Sequence, residues 1–221
     1  EIYVTTNNFN KPMKRVLVLA GLSAFLFASC VSNPDGEKAE TTDAAAVAAG
    51  EGTELTIDTA ASSVIWNGKK VSGEHTGDVQ IKEGTVTVAD GKLTGGRVVI
   101  DLTTINDHDL EGELKEKLEN HLKSDDFFDV ANHPEAVLEI TDVKDGASEG
   151  EIVVSANLTI RGITKNITFN ANVTEVSDSA FKANADFNIE REDWNVSFPG
   201  KPDDLISKQI NFKINLEAAA I

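Results

Sequence analysis

The chain has 221 residues, 40% hydrophobic and 26% charged, the balance of an ordinary soluble globular domain. Thirty-seven acidic against twenty basic residues give a formal charge of −17, which repels phosphate backbones and anionic surfaces within a Debye length. Nucleic-acid binding is therefore not expected, and a single cysteine rules out an internal disulfide.

Residues 1–12 read as upstream translation. From Met13 the sequence runs MKRVLVLAGLSAFLFASC. Lys14 and Arg15 form a positive n-region, Val16 to Phe27 an apolar h-region and Ala28-Ser29 a small-residue cleavage site, so residues 13–29 are expected to be an export signal. Leu26-Phe27-Ala28-Ser29-Cys30 resembles the lipobox of bacterial lipoproteins. That resemblance implies acylation of Cys30 and anchoring in the periplasm, outer membrane or cell surface; two or three acyl chains hold stably where one is marginal. Residues 30–53 are small, acidic and poor in large apolar side chains, so they are expected to be a flexible tether.

The folded domain is expected over 54–219, where most segments alternate with period two, the mark of strands with one apolar and one wet face. Early candidates are Leu55–Asp58, Val64–Lys69, Gly77–Lys82, Thr85–Val88, Gly96–Leu102 and Ala136–Val143. Ile152 to Ile160, Ile167 to Val173, Phe181 to Ile189 and Ile210 to Leu216 alternate more strictly. Asp90-Gly91, Gly95-Gly96, Asp145-Gly146 and Arg161-Gly162 are the turn signals between them. About ten strands without long helical crossovers imply an antiparallel meander that packs on a second sheet or closes on itself.

One segment departs from this period. Leu110, Leu114, Leu118 and Leu122 recur every four residues, which predicts a single amphipathic helix ending near Ser124. The stretch HLKSDDFFDVANHPE that follows carries His121, His133 and several carboxylates, but neither zinc-ligand nor calcium-loop spacing, so no metal is assigned. Phe127 and Phe128 there need an apolar surface to cover. No nucleophile elbow or phosphate loop occurs, so no catalytic residue is assigned and the chain is read as a non-enzyme.

Inside the meander, Ala171, Ala183 and Ala185 put small residues at mid-strand between Phe169, Val173, Phe181 and Phe187. A closed sheet of about eight strands can just fill its lumen with side chains. Small residues either leave an apolar space for a ligand or fit the taper of a filled barrel, and both readings stand.

The stretches TIDTAASSVIWNGKKVSGEHTGDV, GGRVVIDLTTI, HLKSDDFFDVANHPEA, NLTIRGITKNITF and FNIEREDWNV occur in order over nearly all of 54–217. With them the chain resembles the YceI-like family, the lipocalin-like polyisoprenoid-binding domains of exported bacterial proteins. The resemblance implies an all-β, antiparallel lipocalin-like barrel of about eight strands with one inserted helix, and a pore for an isoprenoid chain. No cofactor is implied, only a lipid ligand such as an isoprenoid quinone or polyprenyl phosphate. Expected at the pore or its mouth are Val64, Trp66, Phe128, Leu138, Leu158, Phe169, Ala171, Ala185, Phe187 and Trp194. Arg191 is a candidate for the head group, or else pairs with Asp193 or Glu190. A pyrophosphate needs several fixed cations, and the bases other than Lys69-Lys70 are scattered in sequence, so a neutral quinone head is expected. The alternatives are a structural or interaction lipoprotein with a filled barrel, a binder of fatty acids or amides, and a hydrolase or isomerase with a dispersed site; a homodimer is left open.

Overall fold

The computed structural model describes residues 31–220; the expected signal segment and Cys30 lie outside them. Three short strands come first: β1 (Glu37–Lys38), β2 (Glu40–Asp43) and β3 (Thr53–Ile57). Then follow β4 (Ser63–Lys70), β5 (Gly73–Ala89), β6 (Lys92–Asp107), helix α1 (Gly112–Lys123), β7 (Glu135–Asp145), β8 (Glu151–Ile160), β9 (Ile163–Val176) and β10 (Ala180–Glu190). A 3-10 turn (Arg191–Trp194), β11 (Gly200–Lys201) and β12 (Asp204–Ala219) complete the chain.

Eight strands close into an antiparallel barrel: β4 pairs β5, each strand from β5 to β10 pairs the next, β10 pairs β12, and β12 returns to β4. The alternating sequences turn their apolar phase inward, burying Val64, Val79, Ile81, Val154, Ala156, Leu158, Phe181 and Phe187. Asp90-Gly91 and Arg161-Gly162 each adopt positive φ at both residues, which gives the two-residue hairpins that suit right-handed strand twist.

One expected turn and one pair of expected strands resolve differently. Gly95-Gly96 lies inside β6, where a side chain at Gly95 would meet the backbone of Gly50 passing over it. Gly77–Lys82 and Thr85–Val88 belong to one long strand, β5, whose pairing with β6 shifts register at Asp78/Gln80, Ile81/Glu83 and Thr87/Val88. Such bulges bend a strand around a barrel, and the break in the alternating pattern is their trace.

The expected tether is also ordered in part. Beyond the pair Ala171–Ala185, β9 and β10 separate, and their free edges are taken up by β2 on β9 (Glu40 with Thr168) and β1 on β10 (Glu37 with Phe187). Ala39 between them is buried. The segment is held from outside by asparagines: Asn157 exchanges two hydrogen bonds with the Ala45 backbone at 2.8 and 2.9 Å, and Asn188 donates to Pro34 O at 3.0 Å. Gly36, at φ +126°, passes so close to Asn188 and Asn211 that a Cβ would collide with both. Composition predicted disorder because the segment has little apolar surface of its own; unpaired strand edges supply its partners.

Helix α1 connects β6 to β7 across one end of the barrel. Leu110, Leu118 and Leu122 are half-buried there, whereas Leu114 is 65% exposed, and of the four leucines Leu122 packs against the barrel core. Among the described residues no helix is long and apolar enough to cross a membrane.

Candidate functional site

Three neighbouring spaces follow one another along the barrel interior. Under α1 lies an open mouth of about 430 Å³, bordered by the end of β4, the start of β5 and the start of β12. Below it is a chamber of about 90 Å³ lined only by apolar side chains. Deeper is a second chamber of about 110 Å³. Trp66, Leu122, Phe128 and Ile210 border both mouth and upper chamber; Val64, Ile100, Leu138 and Ile214 border both chambers. Shared walls place the three spaces end to end as a partitioned tube, with those side chains between them. At its waist the rings of Phe169 and Phe187 stack at 4.2 Å.

The side chains at the upper wall are fixed by local backbone features. Trp66 pairs with Gly77 across β4 and β5, and a Cβ at Gly77 would lie 2.4 Å from the indole. The missing side chain lets the indole lie over the strand, and its N–H donates to Asp78 O at 3.2 Å. Phe128 reaches the tube from the loop after α1, where its N–H donates to Leu122 O. Phe127 is buried against His121 and Phe198, with ring centres 5.0 and 5.6 Å away, and Arg161 donates to its carbonyl at 2.6 Å. Of the two phenylalanines, Phe128 alone borders both mouth and chamber, while Phe127 anchors the loop.

The residues expected at the pore separate into groups. Val64, Trp66, Phe128, Leu138, Leu158 and Phe187 line the upper chamber. Phe169, Ala171 and Ala185 line the lower one, with Ala171 and Ala185 directly opposed across β9 and β10. Trp194 lines neither: it is fully buried in the 3-10 turn behind the wall, its indole N–H donating to Leu158 O at 2.9 Å. It shares the apolar character of a pore residue but supports the strand that carries one. Arg191 borders the mouth, yet is 2% exposed and pairs with neither Asp193 nor Glu190. Its guanidinium donates to the carbonyls of Ser207 (2.8 Å), Val196 and Ile206 (3.4 Å), where burial lowers its pKa from the ordinary value. That commitment makes it a clamp between the 3-10 turn and β12, not a free head-group ligand.

What the sequence did not disclose is how the bases meet in space. Lys69, Lys70, Lys117 and Lys201 all border the mouth, with Asp204 the one carboxylate among its lining residues. Lys70 pairs with Asp204 at 3.2 Å, and Lys69 lies 3.6 Å from Glu74 and 3.8 Å from Asp35. The N–H and hydroxyl of Ser72, followed by Lys70, hold the Asp204 carboxyl below its ordinary pKa. Lys117 and Lys201 have no ion-pair partner among the described residues. Their spacing along the chain hid the convergence, because α1, β4 and the β11–β12 hairpin meet only in the closed barrel.

In HLKSDDFFDVANHPE the histidines pair locally, His121 with Asp126 at 3.2 Å and His133 with Asp129 at 3.9 Å, and form no common cluster. His75 does join one, with Asp107 and Asp109.

A family model described as the YceI-like domain matches residues 55–218. "Protein YceI" of Salmonella arizonae and of Salmonella newport are each 28% identical over 141 residues, covering 61% of this chain and 69% of theirs. Among solved structures, BcnA of Burkholderia cenocepacia superposes with a TM-score of 0.63 at 18% identity, covering 74% of this chain and 99% of its own. A polyisoprenoid binding domain from Saccharophagus degradans, implicated in plant cell wall breakdown, gives 0.57 at 16% identity, covering 76% and 98%. These likenesses match the eight-strand lipocalin-like barrel, and the family model spans it almost from end to end: the chain belongs to the YceI-like family.

Proposed function

We propose that this chain binds and carries or stores one isoprenoid-type lipid, tail in the tube and head at the mouth, without chemistry on it. The observation that carries this is alignment: two apolar chambers stand end to end beneath a polar, lysine-bearing mouth under α1 and share wall residues with it and with each other. A long apolar chain with a small polar head has that division of character. Acylation of Cys30 in an exported protein would keep the mouth near its lipid source.

A neutral quinone head fits because three of the mouth's five lysine and arginine side chains are already engaged within the protein. Arg191 serves carbonyls, Lys70 serves Asp204 and Lys69 lies near two carboxylates. Gln209, whose Oε1 accepts from Asn188, keeps its amide donors for a quinone oxygen. A second reading, a polyprenyl phosphate, is supported by Lys117 and Lys201, the two mouth lysines without carboxylate partners. Competition decides between them: long-tailed isoprenoid quinone and polyprenyl phosphate are titrated against wild type and a Lys117→Ala/Lys201→Ala double variant. A quinone ligand predicts tight quinone binding unchanged by the double variant, and phosphate-lipid binding at least about tenfold weaker. Displacement of quinone by the phosphate lipid, sensitive to the double variant, would reverse the head-group assignment.

A filled barrel is the reading favoured by the narrowness of the interior. Each chamber is smaller than the roughly 150 Å³ of an engineered cavity that takes benzene, so a prenyl chain must push lining side chains outward. Binding of neither lipid, with no lipid of any class extracted from the purified protein, would favour the filled barrel.

A further inference from the structure

We propose that His75, Asp107 and Asp109 form a binding site for a divalent transition-metal ion such as Zn2+, at the rim of the tube's mouth beside the start of α1. One ligand atom from each residue lies within 4.8 Å of the other two. The three come from different elements: His75 from the start of β5, Asp107 from the last position of β6, Asp109 from the turn into α1. The β5–β6 ladder fixes their approach through Gly77, which pairs with Asp107, and His108 N–H donating to Thr76 O at 2.9 Å.

The second observation is an orphaned oxygen. Asp107 is 0% exposed; its Oδ1 accepts the backbone N–H groups of Asp109 (3.2 Å) and Leu110 (2.7 Å), but its buried Oδ2 has no hydrogen-bond partner. A buried carboxylate oxygen without a donor has lost its hydration with nothing in return unless a cation or a proton answers it. Burial pushes the Asp107 carboxyl above its ordinary pKa. At Asp109 burial acts the same way but is outweighed by the Thr76 N–H, His75 and the neighbouring Asp107 carboxyl, so the net direction is down. Two adjacent carboxylates facing one imidazole balance a dication, and a mixed nitrogen and oxygen set suits a borderline ion over a purely hard one.

Binding an ion would part the His75–Asp109 pair slightly and draw in a third ligand atom that lies within 4.8 Å. His75 Nδ1 and Asp109 Oδ2 stand 2.7 Å apart, while ligands at about 2.0–2.1 Å in tetrahedral arrangement are separated by roughly 3.3 Å. Neighbouring groups already have partners: His108 is bonded to Asp78, and Thr76 N–H to Asp109 Oδ1 at 2.9 Å. Glu119 of α1 accepts the Asp107 N–H at 2.9 Å, so the site is tied to the helix. Since His75 also borders the mouth, an ion here braces the strand ends against the helix that spans the opening.

Equilibrium dialysis of the purified, EDTA-stripped protein against Zn2+ tests this without reference to lipid. Wild type is expected to take up one equivalent. Asp107→Asn, which keeps the Oδ1 acceptor, and His75→Gln should each weaken uptake by more than about tenfold, and His133→Gln should leave it unchanged. Matching unfolding temperatures in EDTA would show that the variants are folded, and a rise in that temperature with Zn2+ should appear in wild type and be lost in Asp107→Asn. No uptake by wild type, or equal uptake by wild type and Asp107→Asn, would overturn the proposal and leave the buried oxygen to a proton shared with Asp109.

Discussion

At the scale of single residues, the tube wall depends on where a side chain is missing as much as on where one is present. Gly77 gives Trp66 its seat, so Gly77→Ala should displace the indole and cost at least about 1–3 kcal/mol through overpacking, measured by chemical denaturation together with tryptophan emission. Unchanged emission would mean that the glycine is not what seats the ring. Trp194 acts from behind the wall. Trp194→Phe keeps a large ring but removes the donor to Leu158 O, with an expected loss of about 1–3 kcal/mol. Lipid capacity should persist in that variant, because Trp194 lines neither chamber. These two tryptophans show what was legible: alternation assigned the apolar phase of each strand, and Val64, Leu158 and Phe169 are buried on that phase. It gave no means of separating a ring that faces the lumen from one that backs a strand. Arg191 pairs with main-chain carbonyls and not with the expected Asp193 or Glu190, and such carbonyls have no signature in the sequence.

At the scale of elements, strand period and turn chemistry carried most of the fold. Asp90-Gly91 and Arg161-Gly162 became the expected tight hairpins, and the leucine spacing placed α1 within two residues of its observed start at Gly112. Residues 37–43 did not declare themselves, because their stability comes from the parted edges of β9 and β10 and from outward asparagines. Asn157→Ala removes both bonds to Ala45 and should cost about 1–3 kcal/mol. It should also speed amide hydrogen exchange over 37–45 before the rest of the barrel responds. Exchange unaltered in that segment would show that edge pairing alone holds it.

At the scale of the whole molecule, charge is distributed against its average. A chain of net charge −17 gathers four lysines around one opening, and each strand contributes its share of the apolar tube beneath. Topology performs that sorting, which explains why a list of bases along the chain suggested scatter. The depth of the tube is set by Ala171 and Ala185, whose facing Cβ atoms leave the lower chamber open. Ala185→Phe should fill that chamber while sparing the upper one, so the variant should take shorter prenyl chains and lose affinity for longer ones. Lipid uptake is therefore the direct measurement. Organic extraction and mass spectrometry of the purified protein, followed by titration of the delipidated protein with isoprenoid quinones of graded length, should give one lipid per chain and a shorter preferred tail in Ala185→Phe. Recovery of no lipid, with no uptake at any length by wild type, would contradict the account and establish the barrel as filled.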